Sequence, residues 1–248
     1  MCLCAFSLFI NVMAADYSEF EKALGYEFKD KALLEEAFTH TTFVFERGGG
    51  HWESNQRLEF IGDSVIDLVV GCELYNMKSQ EGEGYLSKTR AIVVCERSFA
   101  EAARKLEMGK YLLLGKGEEQ TGGSDKDSTL ADCFEAVMAA VFYDGGYDAA
   151  KSCILKNLSD TIQKAVNGEI FLDYKSRLLE LAQVKGRQHS IKFNVTDERG
   201  PAHAREFDVE IYADETFLAK ATGRSKRDAE QKCAQEAIEK YLMLFPEK

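Results

Sequence analysis

Two pairs of acids fall on helical rows that otherwise carry apolar residues. Glu59 and Asp63 are four apart, which puts both carboxylates on one face of a helix, and the row continues through Ile66, Val70 and Leu74. Asp132 and Glu135 are three apart, and their row runs on through Ala139 and Phe142. Acids that share a row with core residues stand at a buried edge, where unpaired negative charge is costly. Facing one another, two such pairs would repel unless a cation lay between them. Hard carboxylate oxygens suit Mg²⁺, which keeps several waters and bridges protein acids to substrate phosphate. The chemistry implied is metal-assisted phosphodiester hydrolysis, in which metal ions activate water and stabilise the attacking and leaving oxygens. Either pair alone would read as ordinary solvated helix acids.

Positioning those acids falls to a helical stretch that begins at Asp16. Residues 31–39, 57–75, 86–105, 130–143 and 149–166 carry apolar side chains at three- and four-residue spacing. Glycine-rich breaks at Gly48-Gly49-Gly50, Gly115 to Gly123 and Gly145-Gly146 separate them. Asn167-Gly168 is a helix-stop signal and places a domain boundary there.

Beyond the boundary the period changes. Asp173 to Val184 is helical; Ile191, Phe193 and Val195 alternate with polar residues, as do Phe207, Val209 and Ile211, and Thr216 to Thr222 is a third strand. Ser225 starts a final helix with Asp228 in an approximate capping box, and Ala229, Cys233, Ala237 and Tyr241 form its buried row. Gly223-Arg224-Ser225-Lys226-Arg227 and Lys232 cluster cations at that helix start. There they oppose the helix dipole, so the fold gains nothing from them, whereas bound phosphate would gain from both. A solvated basic face is the plain alternative.

The formal charge of −11 does not exclude a nucleic-acid partner, because it is unevenly placed. From Phe171 onward Lys+Arg and Asp+Glu balance at 14 each, so all of the excess negative charge precedes that point. An acidic first part fits solubility or metal-binding carboxylates. The seven cysteines lack metal-ligand spacing. Cys72, Cys95, Cys133, Cys153 and Cys233 fall in apolar helical patterns and read as buried free thiols in a reducing cytosol. Residues 1–15 read as an atypical N-terminal extension, with Cys2 and Cys4 in it. The apolar run from Cys2 to Val12 has no basic residue before it and is too short for a bilayer, and Met13-Ala14-Ala15-Asp16 looks like a natural start.

Asn55-Gln56-Arg57-Leu58-Glu59-Phe60-Ile61-Gly62-Asp63-Ser64 closely resembles the signature of the ribonuclease III family. Ser128-Thr129-Leu130-Ala131-Asp132-Cys133-Phe134-Glu135-Ala136 resembles that family's second acidic motif, at a suitable distance downstream. Glu83-Gly84-Tyr85-Leu86-Ser87 looks like its intermediate acidic segment, and Thr39-His40-Thr41-Thr42 like the motif near its domain start. The segment from Gly223 to Lys232, and the helix–three-strand–helix order, resemble the double-stranded-RNA-binding domain. The resemblance covers essentially everything from Asp16 onward.

The resemblance implies an all-α endonuclease domain over residues 16–168, followed by an α+β (α-β-β-β-α) double-stranded-RNA-binding domain over residues 171–244. Asp63 and Glu135 match the family's active-site residues, and Glu59, Asp63, Asp132 and Glu135 its metal-site acids. Glu83 matches a supporting acid, and Phe60 an aromatic packed across a homodimer interface. Glu180, Gln183, His203, Lys226, Arg227 and Lys232 match RNA-contacting positions, His203 in the loop Gly200-Pro201-Ala202-His203. The implied cofactor is Mg²⁺ with Mn²⁺ as the substitute ion, the partners double-stranded RNA and a second copy, and the location the cytoplasm, away from membranes. Implied products carry 5′-phosphates and 3′-hydroxyls with a short 3′ overhang, from ribosomal-RNA precursors and structured messenger RNAs.

The chain departs from the family at Gln56, where Glu is usual. A non-catalytic RNA-binding or ribosome-associated relative has little reason to keep four metal-site acids, and an enzyme of small phosphorylated molecules leaves the C-terminal part unexplained. His40 reads as a hydrogen-bonding packing residue and His51 as a solvated loop residue.

Overall fold

The computed structural model describes residues 16–171, 173–184, 188–201 and 205–246. The chain divides into two compact units, before and after the Ile170–Phe171 peptide. Cys2, Cys4 and His203 lie outside the described residues.

The first unit is built of helices: α1 Ser18–Leu24, α2 Lys31–Ala37, α3 Thr41–Glu46, α4 Gln56–Met77, α5 Glu83–Val93, α6 Glu96–Lys105, α7 Lys116–Gln120 and α8 Asp127–Val166. Helix α8 is the spine, packed along α4 and α6 and flanked by α2 and α5. The apolar rows read from the sequence face each other here: Ile66, Val70 and Leu74 of α4 and Leu130, Phe134, Val137 and Val141 of α8 are buried. Each such side chain contributes roughly 1.5–3 kcal/mol on burial.

Three expectations are corrected. Residues 86–105 are two helices, because Cys95 is extended at φ −135 and ψ 155. Ser98 Oγ donates to the Ile92 carbonyl at 3.1 Å and Cys95 Sγ donates to it at 3.4 Å, satisfying a last-turn carbonyl of α5. Both halves present an apolar face, so periodicity does not reveal the break. Gly145-Gly146 is a kink rather than a gap: helical residues run through it and Gly146 alone is non-helical, at φ 79. Cys72 is exposed and Cys95 partly so, while Cys133, Cys153 and Cys233 are buried as free thiols. Cys72 shares the outward face of α4 with the exposed Leu68 and Tyr75.

The second unit contains α9 Tyr174–Gln183, β1 Ile191–Arg199, β2 Glu206–Ala213, β3 Thr216–Gly223 and α10 Lys226–Leu244. The strands form an antiparallel sheet in the order β1-β2-β3. Helix α10 packs on β2, β3 and α9, and its row of Ala229, Cys233, Ala237 and Tyr241 is buried with Leu178, Val209 and Ile211. Val195 keeps the expected alternation, opposite the buried Val209, but on the edge strand β1 it is still 41% exposed. A bulge between Val195 and Asp197 shifts the register there. Asp173 caps α9 by accepting from Ser176 N–H at 2.9 Å. Ser225 caps α10 in the same way at 3.1 Å, but the reciprocal acceptor Asp228 takes the Arg224 N–H at 2.9 Å instead of that of Ser225. No described helix is long and apolar enough to cross a membrane.

Candidate catalytic site and RNA-binding surface

Both acid-bearing segments are referenced to one backbone atom. The carbonyl of Ala37, at the end of α2, accepts from Asn55 Nδ2 at 3.4 Å and from Cys133 Sγ at 3.7 Å. Asn55 precedes α4 and its N–H is held by the Thr39 carbonyl at 2.8 Å, while Cys133 lies between Asp132 and Glu135 on α8. A closer constraint comes from Gly62, where an added β-carbon would fall 1.9 Å from the Glu135 carbonyl oxygen. Helices α4 and α8 therefore cross backbone to backbone between the two acid pairs.

That crossing brings Glu59, Asp132 and Glu135 together, with carboxylate oxygens within 4.8 Å of one another and all three side chains half-buried. Asp63 is exposed, one turn along α4 outside the trio. Burial first, and then the charges of Asp63, Glu59 and Asp132, together drive the Glu135 carboxyl up to about 8. Burial also raises Glu59, reinforced by Asp132 and Asp63. Asp132 is raised by burial and by Glu96, with Lys126 opposing. Oxygen donors that crowd each other against their own charge fit a hard divalent cation.

Other sequence-predicted residues fall outside the trio. Glu83 begins α5, is exposed and accepts from Ser87 Oγ on its own helix at 2.7 Å. Gln56 is the first residue of α4, so it does sit one helical turn before Glu59, exposed to solvent. Phe60 is 73% exposed. His40 caps α3 through Nδ1, which accepts the Thr42 N–H at 3.3 Å, and burial lowers its pKa. His51 is exposed, with its ring edge-on to Trp52. Sequence reasoning missed Gly62, whose signal was a glycine in mid-helix between two acids.

In the second unit Lys226 and Arg227 are exposed in the first turn of α10. Gly223 lets the end of β3 approach that turn, since a β-carbon there would meet Ala229 N at 2.3 Å. Lys232 pairs with Asp228 at 2.8 Å and lies beside Lys220 and Thr222 in a groove between β3 and α10. On α9, Gln183 and Glu180 are both exposed, and Glu180 pairs loosely with Arg177 at 3.5 Å.

Residues 30–162 match the family model described as Ribonuclease-III-like, and residues 174–241 match the Double-stranded RNA binding motif. The Ribonuclease 3 of Caldanaerobacter subterraneus subsp. tengcongensis is 44% identical over 224 residues, covering 90% of this chain and 97% of that protein. This chain belongs to the ribonuclease III family. The Ribonuclease 3 of Symbiobacterium thermophilum is 43% identical over 217 residues, covering 88% of this chain and 91% of that one. A solved nuclease domain of ribonuclease III from Campylobacter jejuni superposes with a TM-score of 0.55 at 40% identity, covering 59% of this chain and 98% of its own. The chain is accordingly an endoribonuclease of double-stranded RNA, from a metal-dependent family, with a helical nuclease unit followed by an RNA-binding α-β-β-β-α unit.

Proposed function

We propose that this ribonuclease III works as a cytoplasmic homodimer that cuts both strands of duplex RNA with Mg²⁺, or Mn²⁺ in its place. Glu59, Asp63, Asp132 and Glu135 form the metal site, with Asp63 and Glu135 as catalytic residues and Glu83 as a supporting acid. The observation that carries the reading is the close trio of half-buried carboxylates, where burial, and then the charges of neighbouring acids, push Glu135 up to about 8 in the absence of a compensating cation. When bound, Mg²⁺ would supply Lewis-acid stabilisation of charge at the phosphorus and a more acidic water. Glu59, Asp132 and Glu135 would orient it, and Asp63, exposed beside them, would face the substrate side.

Dimerisation is supported by the outward face of α4, where Phe60, Leu68 and Tyr75 are exposed at near-heptad spacing. The Campylobacter jejuni nuclease domain has structural flexibility in a region involved in dimer formation. Two such sites acting on opposite strands would leave 5′-phosphates, 3′-hydroxyls and a short 3′ overhang. Ribosomal-RNA precursors and structured messenger RNAs are the proposed substrates. Lys226 and Arg227 at the α10 start would take backbone phosphates, with Lys232 and His203 adding contacts and Glu180 and Gln183 reaching 2′-hydroxyls. Buried unpaired thiols suit a reducing compartment.

The test is cleavage of labelled duplex RNA by wild type and Glu135→Gln, with and without Mg²⁺. Cleavage should need the metal and vanish in the variant, while duplex binding and dimer mass are retained. Wild type that leaves duplex RNA intact under all Mg²⁺ and Mn²⁺ conditions would overturn the reading.

A further inference from the structure

We infer that Lys126 contacts a backbone phosphate of the strand being cut, as a cation at the rim of the acidic cleavage site. The inference rests on the catalytic site proposed above. Bringing a phosphate to three clustered acids, with Asp63 one turn away, is opposed by their field, so a positive charge at the rim would assist approach and orientation.

The geometry around Lys126 is that of a constructed presentation loop. Arg104 of α6 binds the residues on both sides: it donates to the Asp125 carboxylate at 2.9 Å, to the Asp125 carbonyl at 2.6 Å and to the Asp127 carboxylate at 2.6 Å. Upstream, Gly122 takes φ 79, and the position of a Gly109 β-carbon falls 2.4 Å from the Ser124 carbonyl. A β-carbon on Gly123 would meet the Glu118 carbonyl at 2.8 Å. With its neighbours held, Lys126 is the N-cap of α8, and its side chain remains 61% exposed.

Helix α8 then fixes Lys126 relative to the acids. Asp132 lies six residues on, about 9 Å along the axis at the usual helical rise, within reach of one nucleotide step. Lys126 thus caps the same helix that carries Asp132 and Glu135. Its own partner is loose: Glu118 Oε1 stands 3.7 Å from Nζ, a separation at which an exposed pair contributes little. A purely structural Lys126–Glu118 pair is the competing explanation, and it predicts equal effects from either side chain.

The experiment compares full-length wild type, Lys126→Gln, Lys126→Arg and Glu118→Gln in single-turnover cleavage of duplex RNA at saturating Mg²⁺ across a salt series. Unfolding midpoints are measured alongside. Lys126→Gln should lower the rate about 10- to 100-fold, the range of a lost hydrogen bond to a charged group. The slope of log(kcat/KM) against log[salt] should fall by about one for the lost phosphate contact. Lys126→Arg should recover most of the rate, and Glu118→Gln should keep it. Wild-type rate and salt slope in Lys126→Gln would overturn the inference, as would an equal loss in Glu118→Gln. Wild type that cuts no duplex would instead bring down the proposed function, and this inference with it.

Discussion

A β-carbon on Gly62 would lie 1.9 Å from the carbonyl oxygen of Glu135, so α4 and α8 meet with no side chain between them where the acids converge. Four residues separate Glu59 from Asp63 and three separate Asp132 from Glu135, and the contact lies between those pairs. The approach of the two backbones, more than any side-chain hydrogen bond, sets how close the carboxylates come.

Gly62→Ala should therefore damage both stability and metal binding. The neighbour is the Glu135 backbone, which cannot swing aside, so the helices must separate. Overpacking of this kind costs about 1–3 kcal/mol. Chemical denaturation should show that loss, and calorimetric titration should show weakened Mg²⁺ binding even where the variant remains folded. A fully wild-type Mg²⁺ affinity would mean the crossing does not set the site.

The Glu135 carboxyl makes the metal-free protein sensitive to pH. Its folded-state pKa is raised from 4.5 to about 8, so the folded protein keeps a proton that the unfolded chain releases. That contribution to stability is fully present below pH 4.5, is lost as pH rises toward 8, and stays lost above it. Denaturation of metal-free protein between pH 5 and 9 should show the decline, flattened in Glu135→Gln. Because the ligands must ionise, Mg²⁺ binding below pH 8 should release a proton, measurable by calorimetry in buffers of different ionisation enthalpy. Equal heats across buffers would contradict it.

A protein ending at Ile170 should fold, dimerise and cut duplex RNA at low salt, because the first unit has its own core. Cleavage should drop steeply at physiological salt, since the phosphate contacts proposed for Lys226 and Arg227 would be gone. Cleavage assays over a salt series, with dimer mass measured in parallel, check this division of labour. A folded, dimeric truncation inert in every salt and metal condition would contradict it.

Gln56 begins α4 one turn before Glu59 and is exposed. Its amide can donate and accept hydrogen bonds but cannot balance a cation. Gln56→Glu should alter steady-state turnover by a modest factor and leave duplex binding unchanged. Comparing single-turnover with steady-state cleavage separates chemistry from product release. Activity that appears only in Gln56→Glu would mark wild type as a non-catalytic relative.

The acid pairs, the helical first part, the change of period after Asn167-Gly168 and the cations at the α10 start were legible in the sequence. Each is a local matter, set by spacing along one element, and local spacing is what helix and strand geometry translate directly into faces. Ser225 as a cap and the buried row through Ala229, Cys233, Ala237 and Tyr241 are of the same kind.

Tertiary structure decided what lies across elements. The split at Cys95 escaped notice because both halves keep an inward apolar face. Val195 pairs with the buried Val209 and yet stays exposed, because it lies on an edge strand and packing decides how much of that strand is covered. No spacing rule shows that Ala37 O ties Asn55 to Cys133, that Gly62 must touch Glu135, or that Arg104 pairs with the acids on both sides of Lys126. Those contacts join residues far apart in the chain. They exist only once the helices have packed, which is also when three carboxylates are forced close enough to want a cation.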